Sequence, residues 1–395
     1  MPTEAPGAGA RRVVAVSCHV LNVSPRTTWV FVSVLDDSGR TAWGEASING
    51  WETLLVAACE RVRTDIEGQP LQDALRRLRP HAQSPGGLAA NAIGSALQQA
   101  LVALQAAQRG VPVHAVLGGL RRAQVPVYAN INRATTVRTP DGFVATAERA
   151  RADGYQRFKA APFDGLTPAL CATPEGQRRI RHGVDCMLAL REALGPEAWL
   201  MVDCHWRFDE PRALQALQAL APARLHWFEC PLAETHANWP ALRRLRAAAR
   251  EQGVLLAAAE TQVGLAAFQT VFEEGLYDVV MPDVKYCGGP LEMVLIAQAA
   301  AQHGVGFSPH NPTGPVCSWH SLQVAAVVPE CAMLEIQYDE SALFLQLTGA
   351  AHPAVTGGFL QVPDGPAGGP QVDAATLLAH PYRPVPPGIE SLLFG

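Results

Sequence analysis

The sequence predicts an α/β fold, a (β/α)7–8 TIM-type barrel carrying an α+β capping domain formed by the N-terminal region and the C-terminal segment. Three observations predict it. Eight short β-rich runs between residues 125 and 337 alternate with long Ala/Leu/Arg helical stretches. A barrel of this type needs about 250 residues, roughly 31 per unit, and the runs keep close to that rhythm. An ionisable residue stands near the end of seven consecutive runs: Lys159, Asp203, Glu229, Glu260, Asp283, His310 and Glu335. Burying seven such groups is costly unless they converge on a polar mouth, which the C-terminal face of a barrel supplies.

The elements follow in chain order. Residues 1–11, rich in Pro, Gly and Ala, read as a loose tail. Residues 12–120 form the capping domain. Its two β-rich runs, VVAVSCHVLN and TTWVFVSVLDD, and the turn DSGR predict an antiparallel meander. Residues 52–118 read as helices, the clearest being AIGSALQQALVALQAAQRG, whose apolar positions recur every three to four residues before a Gly-Val-Pro stop. The barrel spans 121–345. Its strands are expected at 125–131, 157–162, 199–204 and 225–230, then at 255–260, 278–284, 304–310 and 331–337. A Gly/Pro-rich segment, 346–395, returns to the capping domain.

Composition narrows the partners. The 395 residues are 48% hydrophobic and 17% charged, as in an ordinary globular chain. With 31 Lys+Arg against 36 Asp+Glu, the net charge of -5 gives no reason to expect nucleic acid or an anionic membrane, so a small molecule is the expected partner. The nine cysteines include no C-x-x-C pair and are expected as reduced thiols. The N-terminus lacks the apolar stretch of a signal peptide, and the cytoplasm is the expected location.

Asp203, Glu229 and Glu260 lie on three adjacent expected strands. Three carboxylates without Cys or an H-x-H pair suit a hard, oxygen-seeking cation, and Mg²⁺ is the expected cofactor. Zinc chemistry of the amidohydrolase kind would want H-x-H on the first strand, and YANINR has none.

The runs MVDCHW, WFECPL, AAAETQ, MPDVKYCGG, SPHNPTGP and MLEIQYDE together resemble the successive barrel motifs of the enolase superfamily, within it the mandelate racemase subgroup. The resemblance covers nearly the whole chain. It implies that Asp203, Glu229 and Glu260 bind Mg²⁺, that His310 is the base of a dyad with Asp283, and that Glu335 donates a hydrogen bond to an enolate oxygen. A carboxylate on imidazole sets its tautomer and raises its basicity. Asp283 also stands where the muconate lactonizing subgroup has a catalytic Lys, which disfavours that subgroup. The family tendency is a homo-oligomer.

Two departures shape the chemistry. Many members carry Lys-x-Lys on the second strand; here Lys159 is followed by Ala161, so a second base is missing and Lys159 remains as a cation near a substrate carboxylate. Asp203 and His205 are spaced by two and are expected to share a face, resembling the Asp-x-His of acid-sugar dehydratases, in which this His protonates the departing hydroxyl. The expected reaction is dehydration of an aldonic or aldaric acid to a 2-keto-3-deoxy acid. The alternatives are a one-base epimerase or racemase, a lactone cycloisomerase, and a barrel that binds a sugar acid without catalysis. Specificity in the family comes from capping loops, here 20–28 and 46–53, with Arg26 and Trp51 as candidate substrate contacts. Asn130, Asn132 and Arg133 are candidates at the end of the first barrel strand.

Overall fold

The computed structural model describes residues 11–25, 27–349, 352–365 and 369–383. β1 (Val13–Ser24), β2 (Thr27–Asp36) and β3 (Thr41–Glu45) form the antiparallel meander, in that order. Asp36 makes the β2–β3 turn: its Oδ1 accepts from the Ser38 N–H, the Ser38 hydroxyl and the Arg40 N–H, while Gly39 takes a φ of 80°. The helices α1 (Glu52–Ile66), α2 (Leu71–Arg77), α3 (Gly87–Arg109) and α4 (Val113–Val116) follow. By length and composition α3 could cross a membrane, but 78% of that window is buried inside the fold. It ends on left-handed Gly110, and Gly44 lets it approach β3 closely: a Cβ there would lie 1.9 Å from the Ala96 carbonyl.

The barrel runs β4 (Gln124–Asn130), α5 (Pro140–Ala152), β5 (Arg157–Ala160), α6 (Pro174–Leu194), β6 (Trp199–Asp203) and α7 (Glu210–Ala219). It continues with β7 (Trp227–Glu229), α8 (Trp239–Glu251), β8 (Leu255–Ala258), α9 (Gly264–Glu273) and β9 (Val279–Val280). Next come α10 (Pro290–Gln302), β10 (Gly306–Phe307), α11 (Pro315–Val327) and β11 (Leu334–Gln337). The eight strands are parallel in the order β10-β9-β8-β7-β6-β5-β4-β11, and a parallel bridge between Phe307 and Cys331 joins the two ends of the curled sheet. Thr139, Thr173 and Asp209 cap α5, α6 and α7 with their side chains, each before a Pro in the first turn. All eight strands occur where expected; β4 keeps its expected length and the other seven are shorter.

Inside the barrel, Tyr128, Met201, Trp227, Ala257, Val279, Met281 and Met333 pack as a closed apolar layer. A second cluster joins Leu21, Trp29, Phe31 and Trp43 of the meander to Val316, Leu343 and Leu347 of the barrel half and to Val372. The last segment contains α12 (Leu343–Thr348), β12 (Phe359–Gln361) and α13 (Ala374–Ala379). α12 already packs on the meander through Leu343 and Leu347, β12 pairs antiparallel with β4 at the foot of the barrel, and Pro381 then bridges Leu21 of the meander. Eight cysteine thiols are buried and that of Cys18 is half-buried, all free.

Candidate active site

Side chains two apart on a strand point the same way, so the residue two beyond each member of the apolar layer also faces inward. Tyr128, Met201, Trp227, Met281 and Met333 are followed at that spacing by Asn130, Asp203, Glu229, Asp283 and Glu335. An apolar floor thus lies beneath a polar rim. Asp203 faces Glu229 across the β6–β7 register, and Asp203, Glu229, Glu260, Asp283 and Glu335 are all buried.

Each carboxylate has a defined set of donors. Lys159 Nζ lies 2.6 Å from Glu229 Oε1 and 2.8 Å from Glu335 Oε1. Trp227 Nε1–H, from the floor, donates to Glu229 Oε2 at 2.8 Å. Asp283 Oδ2 accepts from both His310 Nδ1 and Lys285 Nζ, each at 2.8 Å, and its Oδ1 accepts the Lys285 backbone N–H at 2.8 Å. With Nδ1–H on Asp283, His310 presents Nε2 as its lone-pair nitrogen, 3.5 Å from Glu260 Oε1.

His205 reaches the mouth by a different route from the one expected. β6 ends at Asp203, so strand alternation does not extend to it. Instead His205 and Trp206 adopt left-handed φ values of 47° and 57°, the His205 N–H donates to Asp203 Oδ1 at 2.8 Å, and the ring folds back until Nε2 is 2.6 Å from Asp203 Oδ2.

Burial and mutual repulsion polarise these groups. Burial pushes the Glu229 carboxyl up to about 8, with Asp203 and Glu335 adding to the rise and Lys159 opposing it. Burial, then the charges of Asp203 and Glu229, raise Glu260 well above the carboxylate range. Burial would raise Asp203 too, but His205 overcomes it and holds the group low; Lys285 and then His310 do the same for Asp283.

Glu335 accepts from three donors on its neighbours. Its Oε1 accepts from Asn130 Nδ2 (2.7 Å) and Lys159, and its Oε2 from the Asn311 N–H (2.9 Å). Although burial works against it, Lys159 leads in keeping the carboxyl below its ordinary value. With three donors aimed at it, Glu335 holds Lys159 in place.

A cavity of about 210 Å³ opens over the rim, between barrel and capping domain. His205, Glu260 and His310 line its floor side, Thr27, Thr28, Ser47 and Asn49 its capping side, and Lys285, Tyr286, Arg133 and Thr313 its flanks. Arg133 therefore faces the cavity as expected, although its Nη1 is also 2.8 Å from Glu340 Oε2, whose other oxygen accepts from the Thr27 hydroxyl. Three other expected contacts do not face it. Asn130 spends its amide on Glu335 and on the Asn132 N–H, Asn132 Oδ1 accepts from Arg138, and Trp51 packs against the main core at the start of α1. Arg26 lies outside the described residues. Ala161 sits just past β5, buried, with its carbonyl accepting from Arg138.

Sequence reasoning passed over Thr27, Thr28, Ser47 and Asn49 although it selected their loops. It noted Lys285 without a role, and its spacing of two from Asp283 was the available signal. It also missed Glu45, the buried end of β3. This carboxylate accepts from Ser47 Oγ (2.8 Å), Thr313 Oγ1 (2.7 Å), Gly314 N–H (2.8 Å) and Cys317 N–H (3.0 Å), so the capping domain supplies the N-terminal cap of α11, directly after the His310 loop.

The donor chemistry fits a divalent cation. Five buried carboxylates meet only two ammonium groups, Lys159 and Lys285, and every carboxylate oxygen that accepts one hydrogen bond keeps a second lone pair. Among the described residues, no three of these side chains converge tightly enough to form a finished metal cage.

The Enolase C-terminal domain-like family matches residues 142–376. A D-galactonate dehydratase of Variovorax paradoxus (strain S110) is 29% identical over 376 residues, covering 93% of this chain and 94% of that protein. A mandelate racemase/muconate lactonizing enzyme-like protein from Rubrobacter xylanophilus DSM 9941 superposes with a TM-score of 0.82 at 25% identity, over 96% of this chain and 99% of that one. A provisional L-alanine-DL-glutamate epimerase from Burkholderia xenovorans strain LB400, bound to magnesium and fumarate, gives 0.81 at 24% identity, over 94% and 96%.

Proposed function

The chain belongs to the enolase superfamily, in its mandelate racemase subgroup, and from that premise we propose that it is an acid-sugar dehydratase. The observation that carries the reading is the pair of histidines on one cavity, each braced by a buried carboxylate: His310 on Asp283 and His205 on Asp203. One takes a proton and the other gives one.

Asp203, Glu229 and Glu260 would hold Mg²⁺, which when bound would supply Lewis-acid stabilisation of charge developing on the substrate carboxylate. His310 Nε2 removes the proton from C2 of an aldonic or aldaric acid, and Asp283 stabilises the imidazolium that results. Lys159, held by Glu229 and Glu335, adds a fixed positive charge beside the enolate oxygens. His205, as imidazolium, keeps Nε2–H on Asp203 and passes its Nδ1 proton to the C3 hydroxyl as the C–O bond breaks. Water leaves, and the enol tautomerises to a 2-keto-3-deoxy acid.

A panel of aldonic and aldaric acids assayed for keto-acid product tests the reading, with solvent-deuterium exchange at C2 followed alongside. His310→Asn should abolish exchange and product together. His205→Asn should keep exchange and lose product. Undiminished product in His205→Asn would favour a one-base epimerase or racemase, which needs His310 alone.

A further inference from the structure

Lys285 is 2% exposed, yet it lines the cavity beside His310 and Tyr286. An ammonium carries three N–H donors. Among the described residues its single hydrogen-bond acceptor is Asp283 Oδ2 at 2.8 Å, and the Tyr286 ring lies with its centroid 5.0 Å from Nζ. Buried donors without partners are expensive, so a buried cation facing a polar cavity with donors to spare is built for an oxygen that arrives with the ligand.

Its position says which oxygen. Asp283 Oδ2 is shared, with His310 Nδ1 and Lys285 Nζ each 2.8 Å away, so the ammonium lies no farther than twice that distance from the base's ring. A substrate carbon in reach of His310 Nε2 therefore carries its neighbouring oxygens past Lys285. The tether also fixes the cation: backbone N–H and side-chain ammonium of the same residue both bind Asp283, so the side chain is closed into a ring with little freedom to withdraw.

We propose that Lys285 is a substrate-contacting residue that donates to a hydroxyl oxygen on a carbon next to the one deprotonated, selecting hydroxylated acids and registering their chain on His310. The inference rests on the reading of this cavity as an acid-sugar site, but its test is binding, not turnover.

The probes are the three tartrate stereoisomers and succinate, four-carbon diacids that differ in hydroxyls, titrated calorimetrically against the full chain with Mg²⁺ present. Wild type should prefer at least one tartrate over succinate by about tenfold or more, the scale of a hydrogen bond from a charged donor. Lys285→Met should reduce that ratio about tenfold, chiefly by weakening tartrate. Lys285→Gln, which retains an N–H for Asp283 and so protects the fold, should do the same; near-ultraviolet circular dichroism identifies which variant is folded. A wild type with no preference overturns the proposal, as does a folded variant that keeps the wild-type ratio within twofold. A chain that discriminates through Lys285 yet yields no keto acid supports the Lys285 contact and refutes only the dehydration reading.

Discussion

Removing the Glu45 carboxylate should loosen the two domains from each other and disturb the loop that carries His310. Glu45→Ala strands the N–H groups of Gly314, the N-cap of α11, and of Cys317 in its first turn, together with the Thr313 and Ser47 hydroxyls. The hydroxyls can rotate to other acceptors. The two backbone donors cannot, and at about 1–3 kcal/mol each the cost is roughly 2–6 kcal/mol, with about 4 expected. Glu45→Gln keeps one acceptor oxygen but loses the anion at a helix N-terminus, so about half that loss is expected, roughly 2 kcal/mol. Gly314→Ala attacks the same contact from the other side, because a Cβ there would lie 2.7 Å from Glu45 Oε1. Urea unfolding followed by tryptophan fluorescence reads all three, since Trp29 and Trp43 sit in the cluster between the domains. Turnover by the folded variants should fall in the same order. A loss below about 1 kcal/mol for Glu45→Ala, with an unchanged denaturant slope, would refute the reasoning.

Lys159→Met leaves Glu229 and Glu335 buried without their cation and should cost about 3–5 kcal/mol in urea unfolding; adding Glu229→Gln should restore part of it, and no recovery would count against the ion-pair account. His320 is fully buried with Nε2 3.2 Å from the Trp43 carbonyl, and burial pushes it down to about 4 from an ordinary 6.5. The unfolded chain therefore takes up a proton first, so stability is intact above pH 6.5 and is lost as pH falls toward 4, by up to about 3 kcal/mol. Thermal melts of His320→Gln should be flatter across that window than those of wild type. Added Mg²⁺ should raise the melting temperature, by an amount equivalent to about 2.7 kcal/mol at a hundredfold excess over its Kd. Glu260→Gln should shrink that shift, and an undiminished shift would place the ion elsewhere.

The barrel was legible because seven of its eight strands carry, at or near the end, an ionisable residue too costly to bury without purpose. Asp203 and Glu229 were readable because position along a strand determines which way they face; Glu260, Asp283 and His310 lie just past the ends of β8, β9 and β10 and were reached through the motifs around them. Where the chain leaves the strand, alternation stops being informative. His205 enters the mouth through a left-handed turn, and Asn130 and Asn132 turn their amides to neighbours. Contacts between distant residues were beyond local pattern. Glu45 meets Gly314 across 269 positions, and Arg133 meets Glu340 across 207. Glu335 was found by motif, and its partners Asn130 and Asn311 lie 205 and 24 positions away.

The cluster that unites Trp29, Phe31 and Trp43 with Val372 also bears on how the chain is made. The meander is made well before its cover: Val316 follows Trp43 by 273 residues, roughly 15–55 s at ordinary rates of synthesis. Throughout that interval two tryptophans and a phenylalanine stand on an open sheet, the kind of surface that chaperones bind. Capping domain and barrel are separate in architecture but not in time: the strands of the meander are completed only by residues of the barrel half and of the segment after it.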